Sequence, residues 1–457
     1  MTSKDDDVPI PLLRRRDAVA IIVGIVIGAG IYRTPPAIAG FTGDAGWMIV
    51  AWIAGALISF AGALCYAELA TAYPSAGGDY HFLTRAFGRP LSFLYAWARG
   101  TVINPGSIAL LGFVFGDYLE KVMPLGRGAA PWAATIVIAL TIVNIVGLQV
   151  SARAQNVLPV IEVAGLLIVA VAGLAADAPA GTTPPLFASA PQLGMFGLAM
   201  VFVLLTYGGW NEAAYISAEL KGGRRAIVTA LVASLLIIAA AYVLVNVALV
   251  HGLGLAALVA TKTAGSDVVG LAFGPVAAKL LGLFVAVATL TSINATMIVG
   301  ARTNYAMGCD WPALRWLGGW NAARGVPLAA YVVQAIIALS LVVFGAYQHD
   351  GFEAMVEFTA PVFWAFLFLV GIALFVLRAR DPRADRPFRV PLYPFTPILF
   401  CVVCAYLFYS SVTYAASRHS VHISLAVMAA GLVALLLTGS YRLLAGRMAV
   451  RGNPSND

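Results

Sequence analysis

The sequence predicts an all-α polytopic membrane protein of twelve transmembrane helices, ten of which form two five-helix units of inverted topology. Three observations lead there. Of 457 residues, 61% are hydrophobic and only 11% charged, so most of the chain must face hydrocarbon. The apolar residues fall in long runs between short polar or Gly/Pro-rich stretches, and roughly 20 residues suffice for one helix to cross a bilayer core. Two of these runs are interrupted by glycine at matching places. A β-barrel would instead show runs of about ten residues of alternating polarity.

The chain opens with a polar head, Lys4 and Asp5 to Asp7, and then Arg14, Arg15 and Arg16 lead into the first apolar run. No cleavable signal is expected there. Spans are expected at 17–40, 45–72, 90–118, 131–149, 154–175 and 193–217, then at 225–251, 274–300, 327–346, 354–377, 393–414 and 421–441. Residues 1–16 and 442–457 form tails. With the N-terminus inside, about 21 of the 28 Lys and Arg residues fall in cytoplasmic segments. The expected placement is the inner membrane, with both termini cytoplasmic. Arg378, Arg380, Arg383, Arg386 and Arg389 read as a topology anchor. Cys65, Cys309, Cys401 and Cys404 fall in no outer loop, so no structural disulfide is indicated.

The first span carries Gly24, Gly28, Ala29 and Gly30, and the sixth carries Gly208 and Gly209 within Tyr207-Gly208-Gly209-Trp210-Asn211. If each break opens a five-helix unit, the units cover 17–176 and 193–378, the odd helix count inverts the second, and 379–441 adds two further helices. Inverted repeats with broken helices place a substrate at the midplane, where unwound backbone offers unpaired N–H and C=O groups. Glycine serving only close helix packing is the plainer alternative. Two pairs in register favour transport.

Val23-Gly24-Ile25-Val26-Ile27-Gly28-Ala29-Gly30-Ile31-Tyr32 resembles the first-helix motif of the amino acid, polyamine and organocation superfamily. Leu64 to Leu69, Ser75 to Tyr80, Tyr207 to Asn211 and Ala218 to Lys221 resemble its L-type amino acid transporters, as do Pro105-Gly106-Ser107, Ser151-Ala152-Arg153 and Pro387 to Pro391. The resemblance implies the leucine-transporter fold, with the first and sixth helices unwound around an amino acid. N–H groups at Gly28, Ala29, Gly30 and Ile31 would then meet the carboxylate at a half-helix N-terminus. Carbonyls of Val26, Leu205 and Gly208 would take the ammonium. Ile27, Thr206, Tyr207, Trp210 and Asn211 are the implied pocket walls, although Tyr207 and Trp210 equally suit packing.

Three departures stand out. Leu205 occupies a gating position that is a bulky aromatic in many relatives. The stretch from Asp117 to Pro131 lacks the cysteine through which some relatives bind a heavy chain, so no covalent heavy-chain subunit is expected. Glu162 replaces a lysine position in the fifth span. An ionisable residue inside a span is a functional candidate by default, and Arg99 in the third span is another. At about 1.5 Å per residue, Arg99 lies roughly 14 Å deep and Glu162 roughly 12 Å deep, which raises a direct ion pair between them. Burial disfavours an ionised carboxyl, making Glu162 or Glu212 a candidate to take up a proton. Glu212 could alternatively pair with Arg33 beyond the first break. Glu68, Asp79 and Glu219 read as gate or structural residues near inner helix ends.

The five histidines lie in loops or at span ends, and neither an HExxH motif nor a P-loop occurs. This disfavours a metal-dependent membrane enzyme and an ATP-driven pump; no cofactor and no nucleic-acid partner is expected. The expectation is a sodium-independent exchanger or proton symporter of neutral L-amino acids, with a cationic amino acid or polyamine carrier of the same fold as the alternative.

Overall fold

The computed structural model describes residues 15–75, 77–147, 152–177, 186–213, 223–322, 324–418 and 421–451. Among these there is no β-strand, only an isolated bridge between Asn321 and Val326. The first expected span divides: α1 (Arg15–Val26) stops, a 3-10 turn covers Ala29–Tyr32, and α2 (Thr34–Thr42) resumes. Then come α3 (Ala45–Ala72), the short α4 (Gly78–Phe87), and α5 (Arg89–Ala98) joined to α6 (Asn104–Val122) through a π turn at Arg99–Ile103. Helices α7 (Ala129–Val146) and α8 (Ala152–Ala175) complete the first half.

The sixth expected span also divides, into α9 (Leu193–Thr206) and α10 (Trp210–Ala213). It is followed by α11 (Gly223–Leu253), a pair of short helices α12 (Leu255–Ala260) and α13 (Ala264–Phe273), and the 36-residue α14 (Pro275–Asp310). The chain ends with α15 (Leu328–Ala346), α16 (Gly351–Arg380), α17 (Phe395–Ser417) and α18 (Val421–Arg451).

Eight helices of the described residues are long and apolar enough to cross a membrane: α3, α5–α6 as one, α7, α11 from Val228, α14, α15, α16 and α17. They coincide with the second to fourth and seventh to eleventh expected spans. Most are apolar all round, as a lipid-facing helix must be, and Leu236, Leu280, Ile336 and Val402 turn outward. Capping fixes where two of them start: Asp44 accepts from Trp47 N at 3.0 Å to open α3, and Asp350 accepts from Glu353 N at 3.1 Å to open α16. The broken helices lie inside this shell. Helix α1 packs on α11 and α8, α2 on α9 and α12, and α14 runs between α6 and α8. The end of the bundle at which α1 begins is called proximal below, and the end at which α2 finishes distal.

Candidate functional site

The two breaks meet. Thr206 Oγ1, at the end of α9, lies 3.0 Å from Thr34 Oγ1 at the start of α2, and Thr34 in turn donates to Gly30 O at 3.0 Å. The Tyr242 hydroxyl from α11 lies 2.9 Å from Val26 O and 3.3 Å from Thr206 O, touching the last carbonyls of both half-helices. Its single proton serves one of them at a time. Around it the rings of Trp52, Tyr207 and Tyr242 pack at 5.0 to 5.8 Å between centroids, and Tyr207 OH donates to Trp52 O at 3.2 Å.

Local backbone chemistry explains the breaks. Helix α1 stops because Gly28 is extended, with φ −124° and ψ −172°. The 3-10 turn that follows leaves the N–H groups of its first residues, Ala29 to Ile31, without intrahelical partners. At the second break Gly209 has φ +108°, a conformation that L side chains rarely adopt. Gly28, Gly30, Leu205 and Gly208 are partly exposed, whereas Val26, Ile27, Ala29, Ile31 and Thr206 are buried.

The sequence-predicted wall residues do not all face the first break. Tyr207 turns to α3 and α11. Trp210 packs edge-on against Tyr66 and Phe400 at 5.3 and 6.1 Å, and with Asn211 it lines a small apolar cavity against Phe363, Trp364 and Cys404. The nearest side chain to Gly28 is Ser292 of α14, 3.8 Å from where a Cβ would stand. Two proposed ammonium acceptors are already engaged: Val26 O by Tyr242, and Leu205 O by Gly208 N at 3.1 Å. A carbonyl has a second lone pair, so both can still accept.

Distal to the breaks, Arg33 is 2% exposed. Its Nε lies 2.9 Å from Asp117 of α6, its Nη2 lies 2.5 Å from Asp350, and its guanidinium sits 4.8 Å over the Phe352 ring. Lys262, between α12 and α13, holds the same Asp350 carboxylate at 2.9 Å. Burial would raise the Asp350 carboxyl, but Arg33, Lys262 and the Glu353 N–H outweigh it and hold the group below the usual aspartate value. A cavity of about 480 Å³ lined by Asp117, Lys262, His349 and Asp350 opens beyond this cluster. Lys121 ties Asp267 of α13 to α6 by an ion pair. Arg33 therefore takes acids from α6 and α16. Glu212 is on α10 and its side chain falls outside the described residues.

A second cluster closes the proximal end. Glu68 of α3 receives Arg378 through two bonds of 2.7 and 2.5 Å, Val390 N at 2.7 Å, and Arg386 at 3.7 Å. Close by, Tyr95 OH donates to Asp79 at 2.9 Å and Arg99 Nη1 donates to Tyr95 OH at 3.0 Å. The expected Arg99–Glu162 pair does not form. Arg99 turns to Tyr95 on α5, and α14 packs on both α6 and α8. Glu162 lies instead beside Tyr32, whose hydroxyl donates to the Glu162 carbonyl at 3.3 Å. Sequence reading missed Thr34, Asp117, Tyr242, Lys262 and Asp350. Asp117 and Tyr242 carried a signal, a polar group in an apolar run; Lys262 and Asp350, in loops, carried none.

This geometry agrees with what the chain is similar to. The family model for amino acid permeases matches residues 13–435. The human b(0,+)-type amino acid transporter 1 is 28% identical over 403 residues, spanning 85% of this chain and 80% of that protein. The serine/threonine exchanger SteT of Bacillus subtilis is 28% identical over 387 residues, 84% of this chain and 86% of its own. The rabbit (Oryctolagus cuniculus) large neutral amino acids transporter small subunit 2 is 26% identical over 408 residues, 85% and 74%. A family match over nearly the whole length, on a membrane-spanning bundle with two broken helices, identifies the chain as a member of the amino acid permease family.

Proposed function

We propose that this protein is a sodium-independent secondary transporter that moves neutral L-amino acids across the inner membrane by alternating access, as an exchanger or a proton symporter. In this reading it has twelve membrane helices of the leucine-transporter fold, with repeats at 17–176 and 193–378, two further helices over 379–441, and both termini cytoplasmic. The proximal end is then the cytoplasmic one. The observation that carries the reading is the meeting of two helix breaks, tied by Thr206, Thr34 and Tyr242.

The substrate carboxylate meets the N–H groups of Gly28 to Ile31, and the ammonium meets the carbonyl ends at Val26, Leu205 and Gly208. Arg33 with Asp117 and Asp350 is the outer gate, and Glu68 with Arg378 the inner lock. Asp117 and Asp350 are both held by Arg33, leaving neither free for a cationic side chain, which supports neutral substrates. Exchange fits the relative named for serine and threonine exchange. The chain acts without a covalent heavy chain.

The test is uptake of radiolabelled leucine, serine and arginine into proteoliposomes, with and without internal amino acid and with and without an inward proton gradient. Uptake of leucine or serine that arginine fails to inhibit is expected. Preferred uptake of arginine overturns the neutral assignment, and uptake of none overturns the transport reading.

A further inference from the structure

The charges buried near the path have counter-charges: Arg33 has Asp117 and Asp350, and Glu68 has Arg378. Glu162 differs. It is 5% exposed, and among the described residues no Lys, Arg or His pairs with its carboxylate.

Helix α8 packs against α1, α11, α13 and α14, so any compensating charge would have to come from these. The Tyr32 hydroxyl, beyond the first break, donates to the Glu162 backbone carbonyl at 3.3 Å, and Tyr242 of α11 bonds the end of α1 at Val26 O. Gly165, one turn along α8, leaves space that the Phe284 ring and the Tyr32 hydroxyl share; a Cβ there would collide with the ring and stand 2.9 Å from the hydroxyl. Among the described side chains of these helices the other charged or imidazole groups are directed elsewhere: His251 of α11 binds Gly173 O, Asp267 of α13 binds Lys121, and Lys279, Arg302 and Asp310 of α14 are exposed. Helix α1 itself brings more negative charge. It ends at Val26, where Val23 O still takes the Ile27 N–H and Val26 O takes the Tyr242 hydroxyl, so its last carbonyls carry the negative end of the helix dipole. Tyr242 bridges that end to the Glu162 neighbourhood. An ionised carboxylate there is opposed by burial and by the helix end together.

We propose that Glu162 is a proton-carrying site, taking up one proton as α1 closes onto α8 and releasing it to the cytoplasm when α1 swings away and water reaches the carboxyl. The inference rests on the transport reading above and chooses symport within it. The neutral carboxylic acid removes the repulsion from the α1 carbonyls and can donate a hydrogen bond to one of them. Closure of the cytoplasmic half thus requires a proton obtained from the outer side, and the amino acid that brings the two breaks together travels with it.

The experiment uses full-length protein in liposomes containing a trapped pH dye, with leucine or serine as the probe, whichever gives the larger exchange flux. Wild-type influx should acidify the lumen. Glu162→Gln should keep exchange, lose acidification, and lose the dependence of net uptake on external pH. If Glu162→Gln also abolishes exchange, Glu162→Asp should restore exchange and acidification together; restored exchange without acidification overturns the proposal.

A measurement on the wild type alone is independent of folding defects. Titration of purified protein with the same amino acid, in two buffers of different ionisation heat, should show uptake of about one proton per site. No proton uptake, acidification that persists in Glu162→Gln, or uptake that needs sodium in place of protons overturns it. Exchange without proton movement leaves the transport reading standing and removes only this inference, whereas absence of any amino acid flux removes both.

Discussion

Replacing Arg33 by glutamine should open the distal side of the path. The side chains of Arg33, Asp117 and Asp350 are 3%, 12% and 9% exposed, so solvent screens their attraction little. Asp350 keeps Lys262 after the change, but Asp117 loses its direct ion pair and keeps only the more distant charge of Lys262. Breaking a buried pair while leaving one charge in place costs about 3–5 kcal/mol, and the lower end applies because half of the cluster survives. At 1.4 kcal/mol per decade, about 3 kcal/mol shifts the ratio of distally closed to open protein roughly 100-fold. A reporter Ser292→Cys, introduced after the four native cysteines are replaced, places a thiol beside Gly28. Its reaction with a membrane-impermeant maleimide added outside should accelerate toward that factor in Arg33→Gln. The Arg33→Gln, Asp117→Asn pair removes the stranded charge and should bring the rate part of the way back. An unchanged labelling rate in Arg33→Gln, or single effects that simply add in the double variant, refutes the gate.

Three other changes test other parts of the site. Gly209→Ala puts a Cβ at φ +108° and should cost at least about 1–2 kcal/mol, seen as a lower melting temperature in detergent together with loss of substrate-induced stabilisation; a fully stable, fully active variant would mean the second break is not rigidly held. Glu68→Gln leaves Arg378 and Arg386 facing each other without their anion, with side-chain exposures of 19% and 7%, and should lower stability by about 3 kcal/mol; the double variant with Arg378→Gln should lose less than the sum of the singles. Distal closure should also withstand mild acid. Because Asp350 is held below its ordinary value, its contribution is fully present above about pH 4 and disappears only as pH falls through the lowered folded-state value. In an Asp117→Asn background, which leaves Asp350 as the carboxylate that Arg33 holds, maleimide reactivity of the Ser292→Cys reporter, corrected for the reagent's own pH dependence, should therefore be flat from neutral pH to about pH 5, and a rise within that range would show that some other group sets the closure.

The two helix breaks were legible because their signal is local. Glycine is required where φ is positive, as at Gly209, or tolerated where a helix stops in an extended residue, as at Gly28, and both sit in otherwise unbroken apolar runs that make any interruption visible. The spans were legible for the same reason, since hydrocarbon demands long apolar segments wherever they later pack. Side-chain roles were less so. Tyr207 and Trp210 lie next to the break in sequence, yet both pack behind it, on Trp52 and Tyr242 and on Tyr66 and Phe400. Adjacency to an unwound segment says which residues are near, but a turn sends successive side chains in different directions. The Arg33 partners were out of reach for another reason: Asp350 is 317 residues away in sequence, and a loop carboxylate looks alike whether it faces water or a buried guanidinium.

Arg99 and Glu162 show why depth is a poor guide to pairing inside a bundle. Residue counting gives position along the membrane normal with an error of a few residues, but a contact also requires the two helix faces to point at each other. Each residue turns an α-helix by about 100°, so an error of one residue changes the face completely while moving the depth by only about 1.5 Å. The π turn at Arg99–Ile103 begins at this residue: its added residue rotates α6 relative to α5, whereas Arg99 keeps the face that α5 sets, where it donates to Tyr95 OH at 3.0 Å. It also brings Gly100 against the Asn304 side chain of α14, where a Cβ would collide. Helix α14 packs along α5 and α6 and also touches α8. Glu162, 5% exposed, lies beside the Tyr32 hydroxyl with no cationic partner among the described residues, so that where depth alone suggests an ion pair there is a buried carboxyl.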